Sequence, residues 1–227
     1  MAAIKLNYQS GYQAWYFYSR PKRRDRLPKM GKAKRKSKPI AKVVPPLLID
    51  PLVALQHLLE QFDNHGVIIG GIAASLLGQP RLTVDLDAVI LLSTDDIGKL
   101  IKAAADEGIT TRITRAEAFA RKHRVLLLRH ANSGINIDIS LGILPFESEM
   151  VERGQEIHIG EIGVRLPTPE DLIIMKAVAH RSKDLEDIKA VAASHPNLDT
   201  QRIQFWLEQF GGALEMPKLW DEIEKLL

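Results

Sequence analysis

The stretch "GGIAASLLGQPRLTVDLDAVI", residues 70–90, constrains the fold of this chain more than any other. Inside it Val84, Leu86, Ala88 and Ile90 alternate with Asp85 and Asp87, the period-two pattern of a strand with one buried face. The alternation sets both carboxylates side by side on the other face, where like charges repel unless a proton or a cation lies between them. Aspartate is also depleted in strands, so a pair of them directly after Gly70-Gly71 and a short helical run calls for a chemical reason.

A third carboxylate follows the same rule. In "INIDIS", residues 135–140, Ile135, Ile137 and Ile139 alternate with Asn136, Asp138 and Ser140, so Asp138 projects from the polar face of its strand. If the two strands are neighbours, Asp85, Asp87 and Asp138 meet at a strand end with the glycine turn alongside. Hard oxygen ligands of this kind suit Mg²⁺, which takes its remaining ligands from water and phosphate. Between a strand and a helix start, Gly70 and Gly71 let backbone N–H groups approach a phosphate with no Cβ in the way.

The rest of the chain reads as mixed strands and helices followed by helices alone, which predicts an α/β or α+β fold with a helical part behind it. A helix is expected over "DPLVALQHLLEQFDNHG", with Asp50 as N-cap and Pro51 in its first turn, then a strand at 67–69 and a helix over 72–77. The strand "VDLDAVILL" and a capped helix from Ser93 to Gly108 come next. "RVLLLRH" and "GINIDISLG" predict adjacent strands joined by a turn, and "QEIHIGEIGVRL" a hairpin or bent strand. Helices are expected over 168–180, 184–194, 199–210 and 216–227. The boundaries that follow are a leader, 1–45, a sheet-bearing domain, 46–166, and a helical region, 167–227.

Charge is divided unevenly between these parts. Residues 1–43 carry 13 Lys and Arg against the single acid Asp25, whereas the remainder holds 18 basic and 27 acidic residues. All four tyrosines lie in the leader as well. From Arg20 to Lys42 little could form a core, which predicts disorder in isolation. The leader is read either as a polyanion-binding arm, with aromatics that stack on unpaired bases, or as a solvated tail. Upstream DNA translated by mistake, with Met30 as the true start, and an organelle transit peptide are the other readings. The absence of cysteine excludes disulfides and thiolate metal sites. No apolar run suits a membrane span or a secretory signal, so a cytoplasmic location is expected. H-E-x-x-H, G-x-S-x-G and P-loop patterns are missing, which removes support for metalloprotease, α/β-hydrolase and P-loop classes.

The form GG, spacer, R-x-T-x-D-x-D in residues 70–87 resembles the first motif of the DNA polymerase beta-like nucleotidyltransferase superfamily, and is most similar to the AbiEii-type toxins. "INIDIS" is similar to that family's third-carboxylate strand, and "TPEDLIIMKAVAHRSKDLEDI" to its later motif, with a Lys, an Arg and a Lys-Asp pair on consecutive helices. The resemblance runs from about Gly66 to Ile188. It implies a mixed sheet flanked by helices, two Mg²⁺ ions, an NTP donor and transfer of a nucleoside monophosphate to a hydroxyl. Asp85 and Asp87 would then bind both metals and Asp138 the ion on the acceptor side. Gly70 and Gly71 would cradle the β and γ phosphates, with Lys176 as a positive contact. The toxin-like relatives imply RNA or a tRNA end as acceptor and an antitoxin protein as partner. The commoner superfamily form has Ser where this chain has Gly71, and no known substrate-recognition domain is matched, so a small molecule or a protein stays open as acceptor. A binding module without turnover is the alternative outside enzymes.

The later motif also reads from its residues. Thr168 as N-cap, Pro169 in the first helical position and Asp171 three residues after the cap start a helix well. Lys176 shares a face with Leu172, Met175 and Ala179, and an ammonium within an apolar stripe needs a partner or must snorkel to water. Arg81 either holds the strand aspartates electrostatically or touches a phosphate. Thr83 reads as a structural strand residue. Arg181, Lys183, Asp184 and Asp187 read as surface charges, with Asp184 a candidate cap for the next helix.

Overall fold

The computed structural model describes residues 44–227, so the expectations for the leader up to Val43 lie outside the described residues. Five strands form one sheet: β1 (Gly66–Ile69), β2 (Asp85–Ile90), β3 (Ile109–Thr111), β4 (Val125–His130) and β5 (Asn136–Leu141), in the order β1-β2-β5-β4-β3. β2 and β5 run parallel, and every other neighbouring pair is antiparallel. Parallel neighbours need a long crossover. Here it consists of α3 (Ile97–Asp106), β3, α4 (Ala116–His123) and β4.

Alternation accounts for the central strands. Leu86, Ala88 and Ile90 on β2, and Ile137 and Ile139 on β5, are fully buried. Val84 departs from the pattern: it lies just before β2 and is exposed, because the partner strand β1 stops at Ile69, which pairs with Asp87. Helix α1 (Pro46–Glu60) buries Leu48, Leu52, Leu55, Leu58 and Leu59 against the sheet. Each such leucine contributes about 1.5–3 kcal/mol relative to exposure. It starts at Pro46 and takes Pro51 into its interior, where an N-terminal turn around Asp50 was expected. The carbonyl that Pro51 cannot serve is that of Leu47, an exposed residue where water can take its place.

α2 (Gly70–Leu77) follows β1 directly, and α5 (Pro145–Glu152) follows β5. β3, α4 and α5 have no counterpart in the sequence reading. β3 has three residues, and α4 starts after Arg115 and ends at Arg124, both in left-handed conformation, in place of the usual cap and glycine signals. α5 did carry a legible start: Pro145 in first position and Glu147, whose carboxylate accepts from the Ile143 and Leu144 N–H groups. The expected hairpin is present as β6 (Gln155–Ile159) and β7 (Ile162–Leu166). Four helices close the chain: α6 (Pro169–Ala179), α7 (Ser182–Ser194), α8 (Thr200–Ala213) and α9 (Leu219–Ile223). α7 packs against α6 and α2, which brings the helical part to the side of the sheet where the glycine turn lies. Among the described residues no helix is long and apolar enough to cross a membrane.

Candidate nucleotidyl-transfer site

Strand register assembles the carboxylates. Asp87 on β2 is the direct partner of Asp138 on β5, and Asp85 is the partner of Asn136. Directly paired residues of neighbouring strands point to the same face, about 4.8 Å apart along the hydrogen-bonding direction. Asp85 is exposed, while Asp87 and Asp138 are half-buried. The Asp87 carboxylate forms no hydrogen bond or ion pair among the described residues, and burial, reinforced by the charges of Asp85 and Asp138, pushes it up to about 6. Burial also raises Asp138, against the opposing pull of Arg112.

The glycine turn fits closely over this pair. Gly70 has φ +69°, and a Cβ there would stand 2.1 Å from the Asp87 carboxylate oxygen Oδ2. A side chain at Gly71 would meet the Thr83 hydroxyl at 2.6 Å. Thr83 is buried, and its hydroxyl donates to Asp85 at 3.2 Å, so the residue read as structural also orients a carboxylate. Ser75 ties the turn together by donating to the Gly71 and Arg81 carbonyls. The N-terminus of α2 has no side-chain cap, which leaves its first N–H groups free for an anion.

Beside the turn stands a network of charges. Lys176, 6% exposed, bonds to Asp184 at 2.9 Å and Asp187 at 2.7 Å. Arg81 makes two bonds to Asp187, at 2.6 and 2.8 Å, and Arg181 binds Asp184 at 2.5 and 3.1 Å. Burial works to raise Asp184, but its bonds from Arg181 and Lys176 hold it below the usual carboxylate range. Asp184 and Asp187 are thus buried partners of Lys176 rather than the surface charges expected from the sequence. Their spacing of three, in line with the buried Ile188 and Val191, was the signal that could have found them. Arg181 and Arg81 reach toward the carboxylates: the charge of Asp85 raises Arg81 further after its bond to Asp187, and that of Asp87 acts likewise on Arg181. Thr168 caps α6 as expected, its hydroxyl accepting from the Asp171 N–H at 3.3 Å.

The sequence reading missed Arg112. It follows β3, and its Nη2 donates to Asp138 Oδ1 at 2.6 Å. For a divalent cation the fit is therefore uneven. Asp85 and Asp87 offer an acidic pair with no ion-pair partner among the described residues, whereas one oxygen of Asp138 is already held. Among the described residues no group of three or more His, Cys, Asp or Glu side chains is arranged to hold a metal ion.

Residues 50–205 match the family model described as "Nucleotidyltransferase of unknown function (DUF6036)", and the chain belongs to that family. Among solved structures, an antigenic nucleotidyltransferase-like protein from Paracoccidioides brasiliensis is similar over 79% of this chain and 93% of its own, at 16% identity and a TM-score of 0.48. No curated protein gives a significant match.

Proposed function

We propose that the chain transfers a nucleoside monophosphate from an NTP to a hydroxyl acceptor, releasing pyrophosphate. The observation that carries this reading is the pair Asp85 and Asp87, with Asp87 unpartnered, under the Gly70-Gly71 turn and in register with Asp138. Asp85 and Asp87 would hold a divalent cation, Mg²⁺ in the cell. Such an ion supplies positive charge against the triphosphate and the departing pyrophosphate. The first N–H groups of α2 receive phosphate oxygens, and the glycines keep that approach clear.

Lys176 contributes through its field, since Asp184 and Asp187 occupy its ammonium. The cations that a triphosphate reaches are Arg81 and Arg181, whose side chains are 31% and 38% exposed. In the transfer the acceptor oxygen bonds to the α-phosphorus as the bond to pyrophosphate breaks. Asp138, on the neighbouring strand, would take the acceptor's proton.

RNA is the acceptor class to test first, as the toxin-like resemblance and the basic leader both favour a polyanion. Antitoxin control would belong to the same reading. The test is incubation of the full chain with each of four α-³²P-labelled NTPs, Mg²⁺ and total RNA, beside an Asp85→Ala, Asp87→Ala variant. Label in RNA with the unmodified chain alone supports the proposal, and label on protein or a small molecule moves the acceptor. Nucleotide binding with no transfer to any acceptor overturns it in favour of a binding module.

A further inference from the structure

Four residues lie in one row across the sheet. Asp87 on β2 pairs with Asp138 on β5, Asp138 with Leu127 on β4, and the Arg112 backbone N–H donates to the Leu127 carbonyl at 3.1 Å. Register therefore sets Arg112 two strands from Asp138 and on the same face, and the long side chain crosses Leu127 to reach the carboxylate at 2.6 Å. The contact is sheltered: the Arg112 and Asp138 side chains are 10% and 19% exposed. A divalent ion that took Asp138 as a ligand would have to bind the remaining oxygen against the charge of a guanidinium held in low dielectric, or displace that guanidinium from Oδ1 and leave it unpaired. In the same row the Asp87 side chain has no hydrogen-bond or ion-pair partner among the described residues.

We propose that Arg112 is the built-in counter-cation of Asp138, so that a divalent metal binds through Asp85 and Asp87 alone. Arg112 is then a positioning residue: it fixes the Asp138 carboxylate at the acceptor side and keeps it out of the metal's coordination. The proposal rests on the nucleotidyl-transfer reading for the presence of a metal, and its test does not depend on turnover.

The test is Mn²⁺ binding to the full chain, followed by the EPR signal of free Mn²⁺, for the unmodified protein, Asp87→Asn, Asp138→Asn, Arg112→Gln and Arg112→Lys. Asp87→Asn should weaken binding by about tenfold or more, while Asp138→Asn should leave it within about twofold. Arg112→Gln, which frees Asp138, should tighten Mn²⁺ by about tenfold or add a second ion, and the gain should vanish in Arg112→Gln, Asp138→Asn. Arg112→Lys keeps the charge and should behave as the unmodified chain. If Asp138→Asn weakens Mn²⁺ as strongly as Asp87→Asn, Asp138 is a metal ligand despite Arg112 and the proposal is overturned. It is overturned equally if a folded Arg112→Gln binds Mn²⁺ unchanged, or if the unmodified chain binds none. Should Arg112→Gln fail to fold, the Asp138→Asn comparison decides by itself. Loss of the transfer reaction with this Mn²⁺ pattern intact would refute the functional reading and leave the role of Arg112 standing.

Discussion

Replacing Lys176 by Met separates a structural lysine from a phosphate ligand. The ammonium is 6% exposed and bonds to two carboxylates that are 0% and 4% exposed, so its removal leaves both buried with one guanidinium each. Breaking a buried ion pair by removing one partner costs about 3–5 kcal/mol. Because Arg181 and Arg81 remain, the lower end applies, discounted no further for screening than their partial exposure requires. For a chain of this size about 3 kcal/mol lowers Tm by roughly 6–12 °C. Thermal unfolding followed by circular dichroism, in EDTA and without nucleotide, measures it. The loss should persist at high salt, since buried pairs are little screened. Adding Asp184→Asn to Lys176→Met should cost less than the sum of the two single changes. A Lys176→Met protein that melts within about 1 °C of the parent but binds NTP poorly would refute the reasoning and return Lys176 to the phosphates.

Asp87 predicts a pH dependence of opposite sign to the usual carboxylate. Its folded value, about 6, lies above its ordinary 3.8, so the folded state holds the proton more tightly and the favourable contribution is complete below about pH 4. Stability then falls as pH rises through 6, and Asp87→Asn should be more stable than the parent at pH 8, by about 3 kcal/mol at most, with the gap closing near pH 4 in metal-free melts. Asp184 acts the other way: its lowered value means stability that is present at neutral pH and lost in acid below the ordinary carboxylate range, visible as a steeper acid transition than in Asp184→Asn. Gly70→Ala combines a positive φ with an overlap on Asp87 Oδ2, and should lose about 1–3 kcal/mol in urea unfolding and most transfer activity. Deleting residues 1–43 should weaken RNA binding and flatten its dependence on salt while leaving NTP binding unchanged, as measured by fluorescence anisotropy.

Local rules carried the sequence reading wherever one strand or one helix decides the outcome. Alternation located β2 and β5 and the face that holds Asp85, Asp87 and Asp138, because the pleat has a fixed period of two. The cap at Thr168 and the hairpin of β6 and β7 are equally local. Elements as short as β3 and α4, the latter without the usual cap residues, left too few residues to read. Partner choice was beyond reach for a different reason. Arg81 meets Asp187 across 106 positions and Arg112 meets Asp138 across 26. Nothing in either neighbourhood names the other, since those pairs exist only once sheet register and helix packing bring the segments together. The sequence by itself determined which carboxylates face the same way. Tertiary structure decided which of them is paired with an arginine and which is left for a ligand, because charge pairing depends on distance in space and on burial, and both are set by the packed fold.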